Sequence, residues 1–401
     1  MRVLTVTPYY FPAIAYGGVV PLTHGISREL VRRGHEVVVY TTDAMSSTGR
    51  QPLTGEHLLD GVQVHYFPNV SNALAYHWRA FLPPALVPQA RREVSRFDVV
   101  HLHDFYTLPN VWISHLARSH GVPLVISPHG SYPPIRLRGR VLVKQVFLAL
   151  FGNGMLARAA RVAVISAAEG SHYVAAGHAP ERVVNVKSGV DDSEFAPLPP
   201  RGSYRPRLGI PADVPVILFF GRVDPVKGLD LLLPAVRDLT GTPAAHVIIA
   251  GPDFGARGPL EALARRLSLA DRVHFLPLIT GAVARRELFA DADLFCLPSR
   301  SEGFPVSVLE LMAAGLPGVV STECNFPELT RAGAGLVVPP DQAALTAALQ
   351  ELTASPARRE QVGRAARRLI ETEFRVAQVV DRLEVVYREL ASARGGGAAA
   401  T

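Results

Sequence analysis

Residues 294–321 read LFCLPSRSEGFPVSVLELMAAGLPGVVS. The apolar runs Leu294–Leu297 and Val319–Ser321 have the length and composition of buried strands. Pro305 is favoured as the first residue of a helix, because its missing N–H would have no partner there, and the apolar segment Ser307–Ala314 predicts that helix. A strand, a helix and a second strand in this order are typical of a parallel sheet with crossover helices.

The same alternation extends through the chain on both sides of this stretch. Further strands are predicted at Val3–Thr7, Glu36–Thr41, Val99–Leu102, Leu124–Ser127, Val162–Ile165, Val183–Val186, Val216–Phe220, Ala245–Ala250 and Val273–Leu276. Further helices are predicted at His24–Arg33, Leu229–Leu239, Pro259–Leu267, Gln342–Leu352, Ala357–Glu373 and Ala377–Ala391. Residues 196–215 interrupt this pattern with six prolines, so neither a helix nor a central strand is expected there.

We therefore predict an α/β protein with two tandem, Rossmann-like, doubly wound parallel-sheet domains that face a central cleft. Ligands of such sheets bind beyond the carboxyl ends of the strands. The predicted boundaries are 1–195 for the first domain, 196–215 for a linker, 216–376 for the second domain, 377–391 for a final helix and 392–401 for a disordered tail.

The composition excludes several classes of protein. The 401 residues are 48% hydrophobic and 19% charged, which allows large cores and does not fit bulk disorder. A net charge of +6 is too weak to indicate a nucleic-acid partner. Cys296 and Cys324 cannot form a disulfide framework or a Cys-rich zinc site. Because no apolar run resembles a signal peptide or a membrane span, we expect a cytoplasmic protein.

Two carboxylates border the helix predicted after Pro305. Glu302 lies just before this helix and Glu310 lies within it, so the two could contact different parts of one ligand. The free amides of Val306 and Ser307 at the helix N-terminus suit a phosphate. The alternative is that Glu302 only stabilises the helix start and that Glu310 is a solvated helix residue.

A second motif, FFGRVDPVKGLDLLL, covers Phe219–Leu233. The predicted strand ends at Gly221, Arg222 follows at once, and Lys227 precedes the next helix. An arginine and a lysine at a strand end suit a diphosphate, because guanidinium binds it through paired hydrogen bonds and ammonium as a point charge. The alternative is a solvated pair of loop cations.

Together these motifs resemble the large retaining glycosyltransferase family 4 (the group 1 glycosyltransferases), which has the two-domain GT-B fold. The other matching motifs are Gly17-Gly18, His129-Gly130, Gly189–Asp191, Ala250–Pro252, Ala292–Ser299 and Pro327-Glu328. The resemblance implies that the first domain binds the acceptor and the second binds a nucleotide-sugar donor. It also implies that the final helix crosses back to the first domain.

The resemblance further implies roles for individual residues. The implied donor-binding residues are Gly17, Gly18, Gly221, Arg222, Lys227, Glu302, Phe304, Val306, Ser307 and Glu310. Arg222 and Lys227 would hold the diphosphate and stabilise the departing nucleotide, and Glu310 would bind the ribose. Glu302 would bind the transferred sugar. His129 would lie beside the reacting side of that sugar, so the implied catalytic set is His129, Glu302, Arg222 and Lys227.

The activity that the resemblance implies is retaining transfer of a hexose-type sugar from a UDP- or GDP-sugar to a hydroxyl. The acceptor would be a glycan, a lipid-linked molecule or a small molecule, in polysaccharide, lipopolysaccharide or glycolipid assembly. No metal or cofactor is expected, since the nucleotide-sugar is a substrate. The alternatives are a nucleotide-sugar epimerase on the same fold and a catalytically silent partner of a glycan-assembly complex.

Other motifs favour structural roles. Asp291 and Asp293 resemble a metal-binding DxD pair, but they stand where a helix runs into a buried strand. His101, His103 and Asp104 end a strand without a second ligand cluster nearby in sequence, so they do not indicate a metal site. We interpret His101 as a core residue, and we expect His103 and Asp104 to face the acceptor.

The segment 105–168 contains no Asp or Glu and is rich in Arg and apolar residues. Its centre includes Arg136, Arg138 and Lys144, and we place the two arginines among the acceptor-side candidates. Basic and apolar residues together are typical of segments that contact anionic membrane surfaces, here the inner face of the cytoplasmic membrane. The alternative is a core helix with a solvated basic face.

Overall fold

The structure, a computed structural model, describes residues 1–46, 49–131, 141–240 and 244–398. The chain divides into two compact units. The first unit contains Met1–Gly189 together with the chain from Val376 onward, and the second contains Val190–Arg375. Each unit is built on one largely parallel sheet with helices packed against it, which confirms the predicted fold class of two doubly wound α/β domains.

The sheet of the first unit has the strand order β3-β4-β2-β1-β5-β6-β7-β8. These strands are β1 (Arg2–Val6), β2 (Glu36–Thr42), β3 (Gly55–Leu59), β4 (Val62–Phe67), β5 (Val99–His103), β6 (Leu124–Ser127), β7 (Arg161–Val164) and β8 (Val183–Asn185). The sequence prediction missed β3 and β4, an antiparallel hairpin at the sheet edge. Asp60 and Gly61 form its turn with positive φ at both positions, which is the geometry that the Asp-Gly pair favours.

Helices cover both faces of this sheet. Before the final helix, the first unit contains α1 (Val19–Arg32), α2 (Asn72–Trp78), α3 (Leu86–Glu93), α4 (Leu108–Ser119), α5 (Val141–Phe147), α6 (Asn153–Arg158) and α7 (Ala167–Ala175). A π-helical turn, Leu148–Gly152, joins α5 to α6.

The sheet of the second unit is parallel throughout its described pairs, in the order β11-β10-β9-β12-β13-β14. Its strands are β9 (Val216–Phe220), β10 (His246–Ala250), β11 (Val273–Leu276), β12 (Leu294–Leu297), β13 (Gly318–Ser321) and β14 (Leu336–Val338). Its helices are α8 (Leu229–Arg237), α9 (Arg257–Arg266), α10 (Ala282–Ala290), α11 (Val306–Ala313), α12 (Pro327–Ala332), α13 (Gln342–Ala354) and α14 (Pro356–Leu369).

The proline-rich segment 196–215 is part of the second unit and not a free linker. The Asp291 carboxylate accepts hydrogen bonds from the N–H groups of Gly202 and Tyr204 at 2.6 and 2.5 Å. The buried Arg205 guanidinium pairs with Asp293 at 2.6 Å. The boundary therefore lies at Val190 rather than after residue 195, and the two aspartates of the DxD pair hold this segment in place.

The last helix, α15 (Val376–Ala398), belongs to the first unit. Its buried residues Val380, Leu383 and Tyr387 pack in the same apolar cluster as the side chains of α1. The Arg33 guanidinium donates to the Asp381 carboxylate at 2.6 Å. The helix continues to Ala398, so residues 392–398 are helical where the sequence predicted a tail. Over the part of the chain that the structure describes, no helix has the length and apolar character to cross a bilayer.

Candidate active site

Two glycines lie at the carboxyl edge of the second unit's sheet. Gly221 follows β9 and Gly251 follows β10, with φ of 152° and 155°. A Cβ added to Gly251 would lie 1.8 Å from the Gly221 carbonyl oxygen, so only glycine fits there. A Cβ added to Gly221 would lie 3.9 Å from Ser307 Oγ, on the first turn of α11. Gly221 and Ser307, both donor-binding candidates, are therefore neighbours.

The loop after β9 places Lys227 at the same edge. Asp224 accepts a hydrogen bond from the Val226 N–H at 2.9 Å and begins a 3-10 turn, Pro225–Lys227. Gly228 ends the turn with φ of 69°. A Cβ on Gly228 would lie 2.1 Å from the Pro298 carbonyl oxygen, so this loop packs closely against the loop that follows β12.

Lys227 and Glu302, distant in sequence, form an ion pair across these two loops. Lys227 Nζ lies 2.5 Å from Glu302 Oε1, and Ser299 Oγ donates to the same oxygen at 2.6 Å. Only 13% and 10% of the two side chains are exposed. The Asn325 amide also donates to the Glu302 carbonyl oxygen at 3.0 Å. The alternative of a solvated loop cation at Lys227 does not fit this burial.

Arg222 is not brought into contact with this pair. Its exposed guanidinium lies over the Phe254 ring, 5.2 Å from the ring centroid. Among the residues that the structure describes, it forms no hydrogen bond or ion pair with Lys227 or Glu302. A cation–π contact at an exposed site is worth only about 0.5–1 kcal/mol, so this side chain can reorient at small cost.

Helix α11 begins at Val306, so Pro305 is not its first residue as the sequence predicted. Pro305 is the residue before the helix, with φ of −86° and ψ of 80°. This conformation is close to an inverse γ-turn, and the Val306 N–H donates to the Phe304 carbonyl oxygen at 3.1 Å. The Val306 amide is therefore not free for a phosphate in this structure. The Phe304 ring packs against the Phe326 ring, 5.0 Å away between centroids.

Glu310 is buried and paired, not solvated. Arg285 of α10 lies 3.1 Å from Glu310 Oε1 and 3.2 Å from Glu194 Oε2. Its guanidinium also lies over the Phe195 ring, 4.9 Å from the centroid. Burial raises the pKa of Glu310, and the positive charge of Arg285 opposes this rise. The sequence analysis missed Arg285 because no local motif contains it.

In the first unit, His103 and His129 meet at the ends of β5 and β6. His103 Nδ1 lies 2.9 Å from His129 Nε2, so one ring donates to the other. Burial lowers the pKa of His129 to about 4, and it lowers the pKa of His103 as well. Both imidazoles are therefore neutral at pH 7. His101 is a core residue, hydrogen-bonded to Tyr387 and Ser127.

Asp104 is also buried and is held by close partners. Tyr9 donates to its carboxylate at 2.7 Å, the Phe105 N–H donates at 2.6 Å, and Arg79 forms an ion pair with it. Burial acts to raise the pKa of Asp104, but Arg79 outweighs it and the pKa is lowered. Both His103 and Asp104 are thus buried in this structure, and the expectation that they face the acceptor stays a prediction.

Glu169 supports the turn at the candidate residue His129, a contact that the sequence analysis did not identify. Its carboxylate accepts hydrogen bonds from the N–H groups of Gly130 at 2.7 Å and Ile165 at 2.9 Å. Burial raises its pKa to about 7. It holds the turn at His129 and Gly130, where both residues have positive φ. The pattern Ser166-x-x-Glu169 is a helix-capping signature, and Ser166 Oγ does accept from the Glu169 N–H, but this pattern does not indicate the contact with Gly130.

Two further candidates, Gly17 and Gly18, lie just before α1. Gly17 has φ of 97°, and a Cβ added to it would have no atom within 4 Å, so its backbone conformation, not crowding, requires glycine. Gly18 is the residue before α1. Arg136 and Arg138 lie outside the described residues.

Two family models match the chain. The model described as Glycosyl transferases group 1 matches residues 200–369, which lie in the second unit. The model described as Glycosyltransferase Family 4 matches residues 16–194.

Similar proteins support the same assignment. The D-inositol 3-phosphate glycosyltransferase of Kineococcus radiotolerans is 32% identical, over 86% of this chain and 84% of that protein. The one from Thermomonospora curvata is 30% identical, over 90% and 88%.

Solved structures share the fold at lower identity. The Anabaena protein HepE, in complex with UDP and glucose, aligns with a TM-score of 0.73 at 20% identity, over 97% of this chain and 100% of that one. WaaG, a glycosyltransferase involved in lipopolysaccharide biosynthesis, aligns with a TM-score of 0.70 at 21% identity, over 96% and 99%.

Proposed function

Because this chain belongs to the group 1, family 4 glycosyltransferases, we propose that it moves a hexose-type sugar from a UDP- or GDP-sugar to a hydroxyl acceptor. It is a glycosyltransferase with the GT-B fold. The finer proposal is that transfer retains the anomeric configuration and needs no metal ion. The observation that carries the proposal of transfer from a nucleotide-sugar is the buried Lys227–Glu302 pair at the carboxyl edge of the second unit's sheet.

In this pair, Lys227 would bind the diphosphate of the donor and Glu302 would bind its sugar. Departure of the nucleotide diphosphate places negative charge on a phosphate oxygen, and a fixed ammonium at Lys227 stabilises that charge without reorganising. Arg222 would leave the Phe254 ring to bind the same diphosphate. Glu302 would accept hydrogen bonds from sugar hydroxyls, and Glu310 would accept them from the ribose.

Retention would proceed on one face of the sugar. A double displacement needs a protein nucleophile on the opposite face, and the sequence offers no clear one. We propose instead that the leaving phosphate takes the proton of the acceptor hydroxyl. The neutral His129 would act as a hydrogen-bonding group beside the sugar. We also propose that Gly17 and Gly18 bind the donor.

The acceptor that we propose to test first is a small phosphorylated polyol. The relatives at 30–32% identity are named for D-inositol 3-phosphate. Glycans and lipid-linked molecules are the other acceptor classes, which would place the enzyme in polysaccharide, lipopolysaccharide or glycolipid assembly. We propose that it works in the cytoplasm, on the inner face of an anionic membrane, without a nucleic-acid partner.

The donor is tested by thermal shift with UDP, GDP and their sugars, since a ligand that binds the folded state raises its melting temperature. The donor identified in this way is then incubated with each acceptor class. Transfer to a hydroxyl supports the proposal. Epimerised donor without transfer would support the epimerase alternative, and donor binding without chemistry would support the silent partner.

The site is tested by Lys227→Ala and Glu302→Ala, each expected to lower the transfer rate by at least about 100-fold. Removing one member of a buried pair costs about 3–5 kcal/mol of stability, so the melting temperature of each variant is measured too. Lys227→Arg keeps the charge but changes its geometry. Arg257→Ala, which removes the exposed Arg257–Glu261 pair of α9, is the control. Near-normal transfer by Lys227→Ala would reject the site.

A further inference from the structure

Glu169 of α7 is a buried carboxylate whose two oxygens bind two separate parts of the first unit. Only 4% of the residue is exposed. One oxygen accepts from the Ile165 N–H at 2.9 Å, and the other accepts from the Gly130 N–H at 2.7 Å, 39 residues away in sequence. Burial raises its pKa to about 7, and the two N–H groups oppose this rise; among the described residues, no cation does. A buried carboxylate without a cation is costly, so its place in the fold needs a reason beyond local packing.

Helix capping explains only part of this arrangement. Ser166 Oγ accepts from the Glu169 N–H at 3.1 Å, as the first residue of a capping box does. In a complete capping box, the Glu side chain would return to the N–H of the same serine. Here both carboxylate oxygens bind elsewhere, and the partner Gly130 lies outside α7 and its cap. The bond to Gly130 therefore serves the turn that contains this glycine.

This turn holds His129 in a backbone conformation that residues other than glycine rarely adopt. His129 and Gly130 both have positive φ, 52° and 73°, and the left-handed region is unfavourable for a residue with a Cβ. Strain of this kind persists only where surrounding contacts enforce it, and it is concentrated at functional sites. The bond from the Gly130 N–H to Glu169 is one such contact. Ser131 Oγ adds another by donating to the Pro128 carbonyl oxygen at 2.6 Å.

The turn also determines where the His129 ring lies. Its Nε2 is 2.9 Å from Nδ1 of the buried His103, and the planes of the two rings differ by only 11°. His129 Nδ1 is buried too, and within the part of the chain that the structure describes it has no hydrogen-bond partner. A buried polar atom without a partner is costly. One nitrogen of this imidazole is thus held by the protein, and the other suits a hydroxyl of a ligand.

We propose that Glu169 is a positioning residue: through the Gly130 N–H it fixes the turn that places the His129 imidazole beside the transferred sugar. Glu169 would not touch the substrate and would act only through His129. The inference rests on the proposed transfer reaction, in which His129 is a hydrogen-bonding group beside the sugar. The nucleotide diphosphate is assigned to Lys227 and Glu310 of the second unit, so Glu169 should affect the reaction and not the binding of nucleotide.

A double-mutant cycle with His129 tests this role, using the donor that the thermal-shift panel selects. Glu169→Ala should lower kcat for sugar transfer by about 10–100-fold, because a displaced group loses the productive geometry, with little change in the KM of the donor. His129→Ala should lower kcat at least as much. Adding Glu169→Ala to His129→Ala should lower kcat by less than about twofold further, because residues that act as a unit are not additive. A residue that only stabilised the fold would change kcat by the same factor with and without His129.

Ser166→Ala is the matched control, since it removes a hydrogen bond at the start of the same helix and leaves the carboxylate in place. It should lower the melting temperature and keep the wild-type kcat. Glu169→Gln keeps one acceptor oxygen and should recover part of the lost kcat, and it keeps the role testable if Glu169→Ala does not fold. Unchanged UDP- or GDP-induced thermal shifts would show that the second unit of each variant is intact.

Wild-type kcat in Glu169→Ala, or a loss of kcat that is equal with and without His129, would overturn the positioning role. So would an equal loss of kcat in Ser166→Ala, because the stability of α7 would then explain the effect. A wild type that transfers no sugar would instead reject the proposed function on which the inference rests, so the two failures are distinguishable.

Discussion

At the scale of single residues, the charged partner of each paired donor-site carboxylate comes from a distant part of the chain. Glu310 was identified from its spacing to Glu302, but its partner Arg285 lies on another helix. Arg285 and Arg286 are adjacent in sequence, and only the packing of α10 against α11 decides which one faces Glu310. Spacing can thus locate a candidate carboxylate without revealing which cation pairs with it.

Arg285→Gln should weaken donor binding most strongly at low pH. Burial raises the pKa of Glu310 and Arg285 opposes this rise, so losing the cation moves the pKa further up. At a pH below that raised pKa, Glu310 is protonated and loses acceptor capacity for ribose hydroxyls. We expect the acid limb of the donor-affinity profile to move to higher pH. Titration calorimetry with UDP across the pH range measures this shift.

Arg257→Gln is the matched control for this prediction. Arg257 also pairs with a carboxylate, Glu261, and also lies over a phenylalanine ring, but it is on the surface of α9. Its donor-affinity profile should equal that of the wild type, and Arg285→Lys should restore part of the low-pH affinity. An unchanged acid limb in Arg285→Gln would contradict the electrostatic role.

At the scale of elements, the buried strands of the second unit were predictable because each is a short apolar run between turn residues. β9, β11 and β12 have the predicted bounds, Val216–Phe220, Val273–Leu276 and Leu294–Leu297. The hairpin of β3 and β4 was missed because the edge strand β3 is largely exposed and lacks such a run. Loop geometry was not predictable at all, since the contact of Gly228 with Pro298 joins residues 70 positions apart.

Gly228→Ala should displace the loop that carries Lys227. The added Cβ would meet the Pro298 carbonyl oxygen at 2.1 Å, and φ of 69° is unfavourable for alanine. The loop must move, which separates Lys227 from Glu302. We expect donor affinity to fall by about tenfold or more, because binding groups placed by a loop act only in the correct geometry. Thermal shift and calorimetry with UDP measure the loss.

Gly209→Ala is the control that separates the steric clash expected in Gly228→Ala from the effect of positive φ alone. Gly209 has nearly the same conformation, with φ of 65°, but no atom lies within 4 Å of an added Cβ. Its substitution should lower stability by about 1 kcal/mol and leave donor affinity unchanged. Equal losses of affinity in both variants would show that the close approach to Pro298 does not place Lys227.

At the scale of the whole molecule, the first unit is built from both ends of the chain. The sequence pattern located the final helix, but the residues that it buries could not be read from periodicity alone, since α15 carries apolar side chains on more than one side. The proline-rich segment was expected to be a linker, and the hydrogen bonds of Asp291 to Gly202 and Tyr204 make it part of the second unit instead. Contacts between distant residues therefore define both units.

Because α15 completes the apolar cluster against α1, its inward side chains should stabilise the first unit selectively. Leu383 is fully buried there, whereas Val385 on the same helix is 56% exposed. Leu383→Ala should cost about 2–5 kcal/mol of unfolding free energy, since it leaves a cavity, and Val385→Ala should cost less than about 0.5 kcal/mol. Hydrogen exchange should then accelerate in α1, β1 and β2 of Leu383→Ala while β9 and β12 keep wild-type protection. Faster exchange in β9 and β12 as well, or none in α1, would contradict the assignment of α15 to the first unit.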